Sequence, residues 1–264
     1  MDDVDAYYRR LASGGYAATR ATESPWSHEQ QHGGPPLALA AYAMLRAHPS
    51  DDRRPASIAL DFLGAIPRRE VTLSTAVRRP GTRIDLLEAR LEAEGRAFAE
   101  VRMWRVRRDA SLAVPAVPDA SDVACALPPQ QAQRFFGETG AWGYGEAIEW
   151  RFLRGGMESL GAASVWTRVR GDLVAGEPID PLARALVVAD SANGVSAVLP
   201  MREWLFVPTG IVVTLRRDPI GEWIRLDAET IVGPDGRAIC RAELHDRTGL
   251  FAAVDQALFI ARRT

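Results

Sequence analysis

Residues 55–108 and 209–263 run through the same order of extended stretches and turns, and this duplication limits the fold more than any single motif does. In the first block the runs are Ile58 to Leu63, Val71 to Val77, Ile84 to Leu91 and Ala97 to Val106, separated by turns at Ile66-Pro67, Pro80-Gly81 and Glu94-Gly95. In the second they are Ile211 to Leu215, Trp223 to Ile231, Ile239 to Leu244 and Phe251 to Ile260, with turns at Asp218-Pro219, Pro234-Asp235-Gly236 and Thr248-Gly249. Ile58 matches Ile211, Leu91 matches Leu244, Gly95 matches Gly249 and Arg108 matches Arg263, a nearly constant spacing of 153 to 155 residues, which marks a duplicated unit. Four runs joined by short turns predict an antiparallel meander in each half.

A helical segment precedes each meander. Gly33-Gly34-Pro35-Pro36 leads into Leu37 to His48, stopped by Pro49. In the second half Asp180 is a good N-cap, Pro181 suits the first helical position, and Leu182 to Ala192 continues to Asn193-Gly194. Extended runs around Ile148 to Phe152 and Val165 to Val169 come before the second helix, and shorter ones around Tyr16 to Thr22 and Pro25 to Ser27 before the first. Residues 110–145 hold Pro115, Pro118, Pro128 and Pro129 and read as a linker between an N-terminal unit, 1–109, and a C-terminal unit, 146–264. The fold class is α+β, each helix covered by an antiparallel sheet.

A scaffold position should look alike in both copies, so departures from likeness point to function. Leu182, Leu186 and Asp190 share one helix face, whereas the first half has Met44 or Leu45 at the matching place. A carboxylate among apolar residues is costly unless something uses it; the alternative is a local bond to the Asn193-Gly194 turn. Strict alternation sets Thr209 on the face of Val207, Ile211, Val213 and Leu215, with Ala56 as its counterpart. It serves either a site or a strand start. Gln256 lies among Val254, Leu258 and Ile260, opposite Arg102 when counted from the turn glycines, and its amide must find partners in a site or at a strand edge.

Composition closes off other chemistries. All 32 basic residues are arginine, which excludes Schiff-base and P-loop lysines, and a net charge of −2 offers nucleic acid no general attraction. Arg78, Arg79, Arg83, Arg105, Arg107 and Arg108 are read as a solvated surface. Two cysteines, Cys125 and Cys240, form no disulfide or zinc pattern and are expected to be buried thiols. The four histidines lack metal-ligand spacing, so neither metal nor cofactor is expected; His245-Asp246 reads as a solvated hairpin end, and His32 as a pocket residue or local cap. Met157-Glu158-Ser159-Leu160-Gly161 lacks the first glycine of a nucleophile elbow. The acidic start, Met1-Asp2-Asp3-Val4-Asp5, is no export signal, and no apolar run reaches membrane-spanning length, so a cytoplasmic protein without membrane partners is expected.

Six segments stand in a characteristic order: His32-Gly33-Gly34, Ile58-Ala59-Leu60-Asp61-Phe62-Leu63 with Pro67, Val188-Ala189-Asp190-Ser191-Ala192-Asn193-Gly194, Val207-Pro208-Thr209, Pro219-Ile220-Gly221-Glu222-Trp223 and Val254-Asp255-Gln256. In these the chain resembles the double-hotdog acyl-CoA thioesterases of the type II, thioesterase-like superfamily. The resemblance implies a tandem hotdog, two antiparallel sheets each wrapped around a central helix. It also implies hydrolysis of acyl-CoA or acyl-carrier thioesters by a water that Asp190, Thr209 and Gln256 orient.

His32, Gly33 and Gly34 are then the expected substrate-binding residues, with backbone N–H groups at the first helix start receiving the thioester oxygen. Two rival readings remain: binding of acyl chains or carriers without hydrolysis, and a hotdog hydratase. The latter calls for a His/Asp or His/Glu pair, which the second half lacks. Since hotdog units pair sheets edge to edge, the halves should form an internal pseudo-dimer, and a homodimer of chains is a candidate assembly.

Overall fold

Along the long strands buried and exposed residues alternate, so one face of the sheet carries the core and the other the arginines and carboxylates. The computed structural model describes residues 4–109, 111, 125–133 and 141–263, so most of the expected linker lies outside the described residues. The first half comprises β1 (Ala6–Arg10), β2 (Tyr16–Ala18), β3 (Glu23–Ser24), β4 (Ser27–Gln31), α1 (Gly34–Ala47), β5 (Arg53–Phe62), β6 (Glu70–Arg79), β7 (Ile84–Ala93) and β8 (Arg96–Arg107). The second comprises α2 (Gly143–Glu146), β9 (Ile148–Arg154), β10 (Ala163–Val169), β11 (Asp172–Val174), α3 (Pro181–Ala189), α4 (Ala192–Val195), β12 (Trp204–Leu215), β13 (Trp223–Val232), β14 (Arg237–Asp246) and β15 (Gly249–Arg262).

Instead of two separate sheets there is one 13-stranded sheet, with β3 and β4 forming a small second one. The order is β1-β2-β6-β7-β8-β5 in the first half and β9-β10-β13-β14-β15-β12 in the second, and the halves join where β5 pairs antiparallel with β12. Either strand alone would present a row of unpaired backbone groups, and pairing removes both edges. Ala59 faces Val212 in this ladder, and these two are repeat counterparts, as an approximate two-fold axis between the halves requires. β11 crosses over to pair in parallel with β1. The outer edge strand β9 is covered by side chains: the Gln133 amide bonds both backbone groups of Trp150, and the Gln131 amide those of Phe152.

The ladders correct the repeat alignment by one residue near the last turn. Gly249 opens β15 opposite Asp246, where the first half has Arg96 opposite Ala93, so Gly249 corresponds to Arg96 rather than Gly95. Ile211 pairs with Gln256 as Ile58 pairs with Met103, which makes Met103, not Arg102, the counterpart of Gln256. Each half also carries a β-bulge at the same place, around Ala56 and around Thr209.

Helix α1 is apolar nearly all round and correspondingly buried; Leu37, Leu39 and Met44 are fully enclosed, each contributing roughly 1.5–3 kcal/mol. Pro35 and Pro36 fit because first-turn N–H groups have no helical partner. Asp180 caps α3 by accepting from Ala183 N–H at 2.8 Å. The helices touch at Gly34, where a Cβ would sit 1.9 Å from the Val187 carbonyl oxygen. No helix among the described residues is long and apolar enough to cross a membrane.

Candidate active site

Two helix ends meet between the halves. The second helix was expected to continue to Ala192, but α3 ends at Ala189 and Asp190 occupies its C-cap, followed by the single turn α4. That position turns the Asp190 side chain toward the N-terminus of α1. Its Oδ2 accepts from Gly33 N–H at 2.8 Å and lies 3.0 Å from His32 Nδ1, while Oδ1 accepts from Gln256 Nε2 at 3.0 Å. The Gln256 amide is oriented from behind, because its Oε1 accepts from Asn193 N–H at 3.2 Å.

The carboxyl is buried, and burial raises its pKa to about 7 against the opposing hydrogen bonds of Gly33, Gln256 and Gly34. Burial pushes His32 the other way, down to about 3, so its imidazole is neutral at physiological pH. The His32–Asp190 contact is therefore a hydrogen bond in which, once the acid is ionised, Nδ1 must be the donor, since a carboxylate only accepts. Gly33 N–H and His32 both approach Oδ2, whereas Oδ1 takes the Gln256 amide and is the less crowded oxygen.

A cavity of about 440 Å³ opens onto this cluster. Aromatic side chains make much of its wall, among them Trp26, Phe62, Trp142, Trp150 and Phe206, with Trp26 set edge-on against Phe206 at 5.1 Å between ring centres. Among the described residues, His32, Asp190 and Tyr144 are the titratable groups that line it, and no arginine does. An apolar cavity ending in a few convergent polar groups suits a ligand with an apolar chain and one polar head.

The structure brings Asp190, Gln256, His32 and Gly33 together, while Thr209 and the N–H groups of Gly33 and Gly34 are placed otherwise than expected. The bulge at Thr209 breaks the alternation, so Thr209 is exposed instead of facing the core; it still lines the cavity, and its hydroxyl donates to the Ala257 carbonyl at 3.2 Å. The N–H groups expected to hold a thioester oxygen face Asp190 and His32: Gly33 N–H is bonded to the carboxylate, and Gly34 N–H lies 3.4 Å from His32 Nδ1. The His/Asp pair not found in the second half forms across the halves.

Tyr144 is a member that sequence reasoning missed. Its ring stacks on His32 with centroids 3.8 Å apart and planes 6° from parallel, and its hydroxyl bonds Ser191 Oγ at 2.6 Å and the Val187 carbonyl at 2.8 Å. The buried Glu23 carboxylate fixes this segment by accepting from Gly143 N–H at 2.7 Å.

Two expectations about other reactive side chains also change. His245 and Asp246 are buried, not solvated: Asp246 accepts from Arg217, Thr248 and Ile220, which hold it down at about 2 despite burial. Asp227, Glu243 and His245 lie close enough to be considered as cation ligands, but Asp227 already bonds Arg225 at 3.0 Å, which places a competing cation there. Cys240 is buried, whereas Cys125 is half-buried.

Two family models match the chain: the acyl-CoA thioesterase N-terminal domain over residues 22–106 and the acyl-CoA thioesterase C-terminal domain over residues 119–260. No curated protein sequence matches. Among solved structures, a candidate thioesterase II of Thermobifida fusca is similar with a TM-score of 0.73 at 18% identity, covering 98% of this chain and 96% of that one. A conserved protein of unknown function with a hot dog fold from Alicyclobacillus acidocaldarius gives 0.70 at 15%, covering 98% of each. Acyl-CoA thioesterase II of Mycobacterium marinum gives 0.66 at 14%, covering 99% and 97%. At these identities the structural likenesses establish the hotdog fold.

Proposed function

The chain belongs to the acyl-CoA thioesterase family and is a thioester hydrolase, and from that premise we propose that Asp190 is the general base that draws a proton from the attacking water. The observation that carries the proposal is a buried carboxyl, raised to about 7, at the end of an apolar cavity and held by Gly33 N–H and Gln256. A base poised near neutral pH is the usual requirement for such a transfer.

The acyl chain fills the aromatic cavity and its carbonyl carbon comes to rest over Asp190. Water binds at the less crowded Oδ1, where the second Gln256 N–H fixes it from one side. Thr209 takes the other side: its bond to Ala257 is long for a hydroxyl donor, and rotation about χ1 frees it for water.

As water adds to the thioester, its proton passes to Asp190 and the negative charge moves to the carbonyl oxygen. The α1 terminus holds the carboxylate beforehand. Once Asp190 is neutral, Gly33 N–H and the positive helix end can serve the oxyanion, so one electropositive group stabilises the charge on both sides of the transfer. Collapse expels the thiolate, which recovers the proton from Asp190. This scheme needs no covalent intermediate.

The His32–Asp190 pair favours a second reading, hydration of an enoyl thioester. An imidazole held at about 3 is a poor base, which weighs against it. Asp190→Asn, tested on a panel of saturated acyl-CoA and enoyl-CoA substrates, separates the readings. Thiol release should fall ~10²–10⁴-fold. A wild-type enzyme that hydrates enoyl-CoA without releasing thiol would establish the rival reading, and one that binds acyl-CoA without either reaction would make it a binding protein.

A further inference from the structure

The approximate two-fold axis that relates the halves implies a second location built like the active site, and the structure has a cavity there. The active-site cavity lies among the α1 N-terminus, the α3 C-terminus, the start of β12 and the turn after β5. A second cavity, about 380 Å³, lies among the α3 N-terminus (Asp180, Leu182), the C-terminal end of α1 (Leu45), the start of β5 (Arg53 to Pro55) and the turn after β12 (Asp218). Every element is exchanged for its repeat counterpart.

The chemistry of the lining is changed. In matching ladder positions Arg53 replaces Phe206, Arg54 replaces Val207 and Arg105 replaces Leu258, while Pro55 and Pro208 remain alike. Arg105 is thus no part of a solvated basic surface: it is buried, donating to Asp85 at 2.6 and 3.0 Å and to the His48 carbonyl at 2.6 Å.

Asp85 is the buried carboxylate of both Arg105 and Arg53, the latter at 2.9 Å, so one buried acid serves two guanidinium groups. Arg54 is oriented by the carbonyls of Ser50, Asp51 and Arg53 at 3.4, 3.2 and 3.1 Å, and Asp218 stands 3.9 Å from its Nε. Carbonyls aim a guanidinium without cancelling its charge. Of the remaining acids nearby, Asp180 is engaged as the α3 cap, Asp52 lies 3.7 Å from Arg53 Nε, and Asp52 and Asp218 are both exposed.

We propose that this second cavity is an active-site relic re-lined to bind an oxyanion, a phosphate ester or a carboxylate, with Arg54 as the principal ligand. Planar guanidinium forks match the oxygens of both groups. The two products of thioester hydrolysis carry them, phosphates on the CoA and a carboxylate on the acid.

Isothermal titration calorimetry of the full chain, with inorganic phosphate and with acetate at constant ionic strength, tests the proposal. Saturable binding is expected, weakened at least roughly tenfold in Arg54→Met by loss of a charge-assisted hydrogen bond. Asp218→Asn, which removes an opposing carboxylate, should tighten it. Binding of phosphate alone identifies a phosphate ester as the ligand class, and binding of acetate as well extends it to carboxylates. Thioester turnover of Arg54→Met should equal that of wild type, which verifies its fold. Absence of saturable binding by either anion, or unchanged affinity in the folded Arg54→Met protein, overturns the proposal.

Discussion

Replacing Gln256 by methionine puts into the second half the residue that the first half carries at the matching place, Met103, which is fully buried there. Shape and burial are thereby kept, while Asp190 loses the donor at 3.0 Å on Oδ1. A hydrogen bond to a charged group is worth about 1.5–3 kcal/mol, and one pKa unit corresponds to about 1.4 kcal/mol, so the Asp190 pKa should rise by roughly one to two units. In the wild type, kcat/KM should increase with pH through a midpoint at about 7, where Asp190 ionises. In Gln256→Met the midpoint should move to roughly 8–9, with the plateau lowered as well because the water loses an orienting group. The assay is loss of thioester absorbance from pH 5 to 10. If the variant is folded and its midpoint stays in place or moves down, the titrating group is not Asp190 held by Gln256.

Three other outcomes follow from the same geometry. Gly34→Ala must push α1 away from the Val187 carbonyl, costing on the order of 1–3 kcal/mol or more as overpacking, and should lower turnover through misplacement of Asp190; thermal unfolding and activity check both. Asp190 is raised above its unfolded value of 3.8, so the folded state holds the extra proton between about 4 and 7: stability contributed by this group is present at low pH and is lost as pH rises to about 7, by on the order of 4 kcal/mol. Denaturant unfolding should show that decline in wild type and a shallower one in Asp190→Asn. Met44→Ala, in the core of α1, should cost about 2–5 kcal/mol in unfolding experiments while leaving the catalytic groups in place.

The meanders were legible because each strand alternates strongly and each turn has its glycine or proline, and Asp190 and Gln256 stood out because their counterparts are apolar. Bulges hid the rest. The one at Thr209 reverses which side chains face inward, and no residue type announces it; an offset at the last turn led to Arg102 in place of Met103. Edge-to-edge pairing of the halves was expected, but that β5 and β12 are the strands that join, and that one continuous sheet results, depends on geometry beyond sequence pattern. Tyr144 follows a proline-rich stretch and belongs to no repeat, so symmetry arguments could not reach it. His32 and Asp190 come 3.0 Å apart only through packing of the two halves, and pairing searches within one half necessarily miss them.

The measurement that bears most directly on Asp190 as a general base is a single turnover in ¹⁸O-water with enzyme in excess over acyl-CoA. Direct attack by water predicts that the first-formed acid carries one ¹⁸O atom and that the Asp190 carboxyl, examined by mass spectrometry of the peptide containing it, carries none. Label in Asp190 together with unlabelled first-turnover acid would show that Asp190 attacks the thioester itself, contradicting the account.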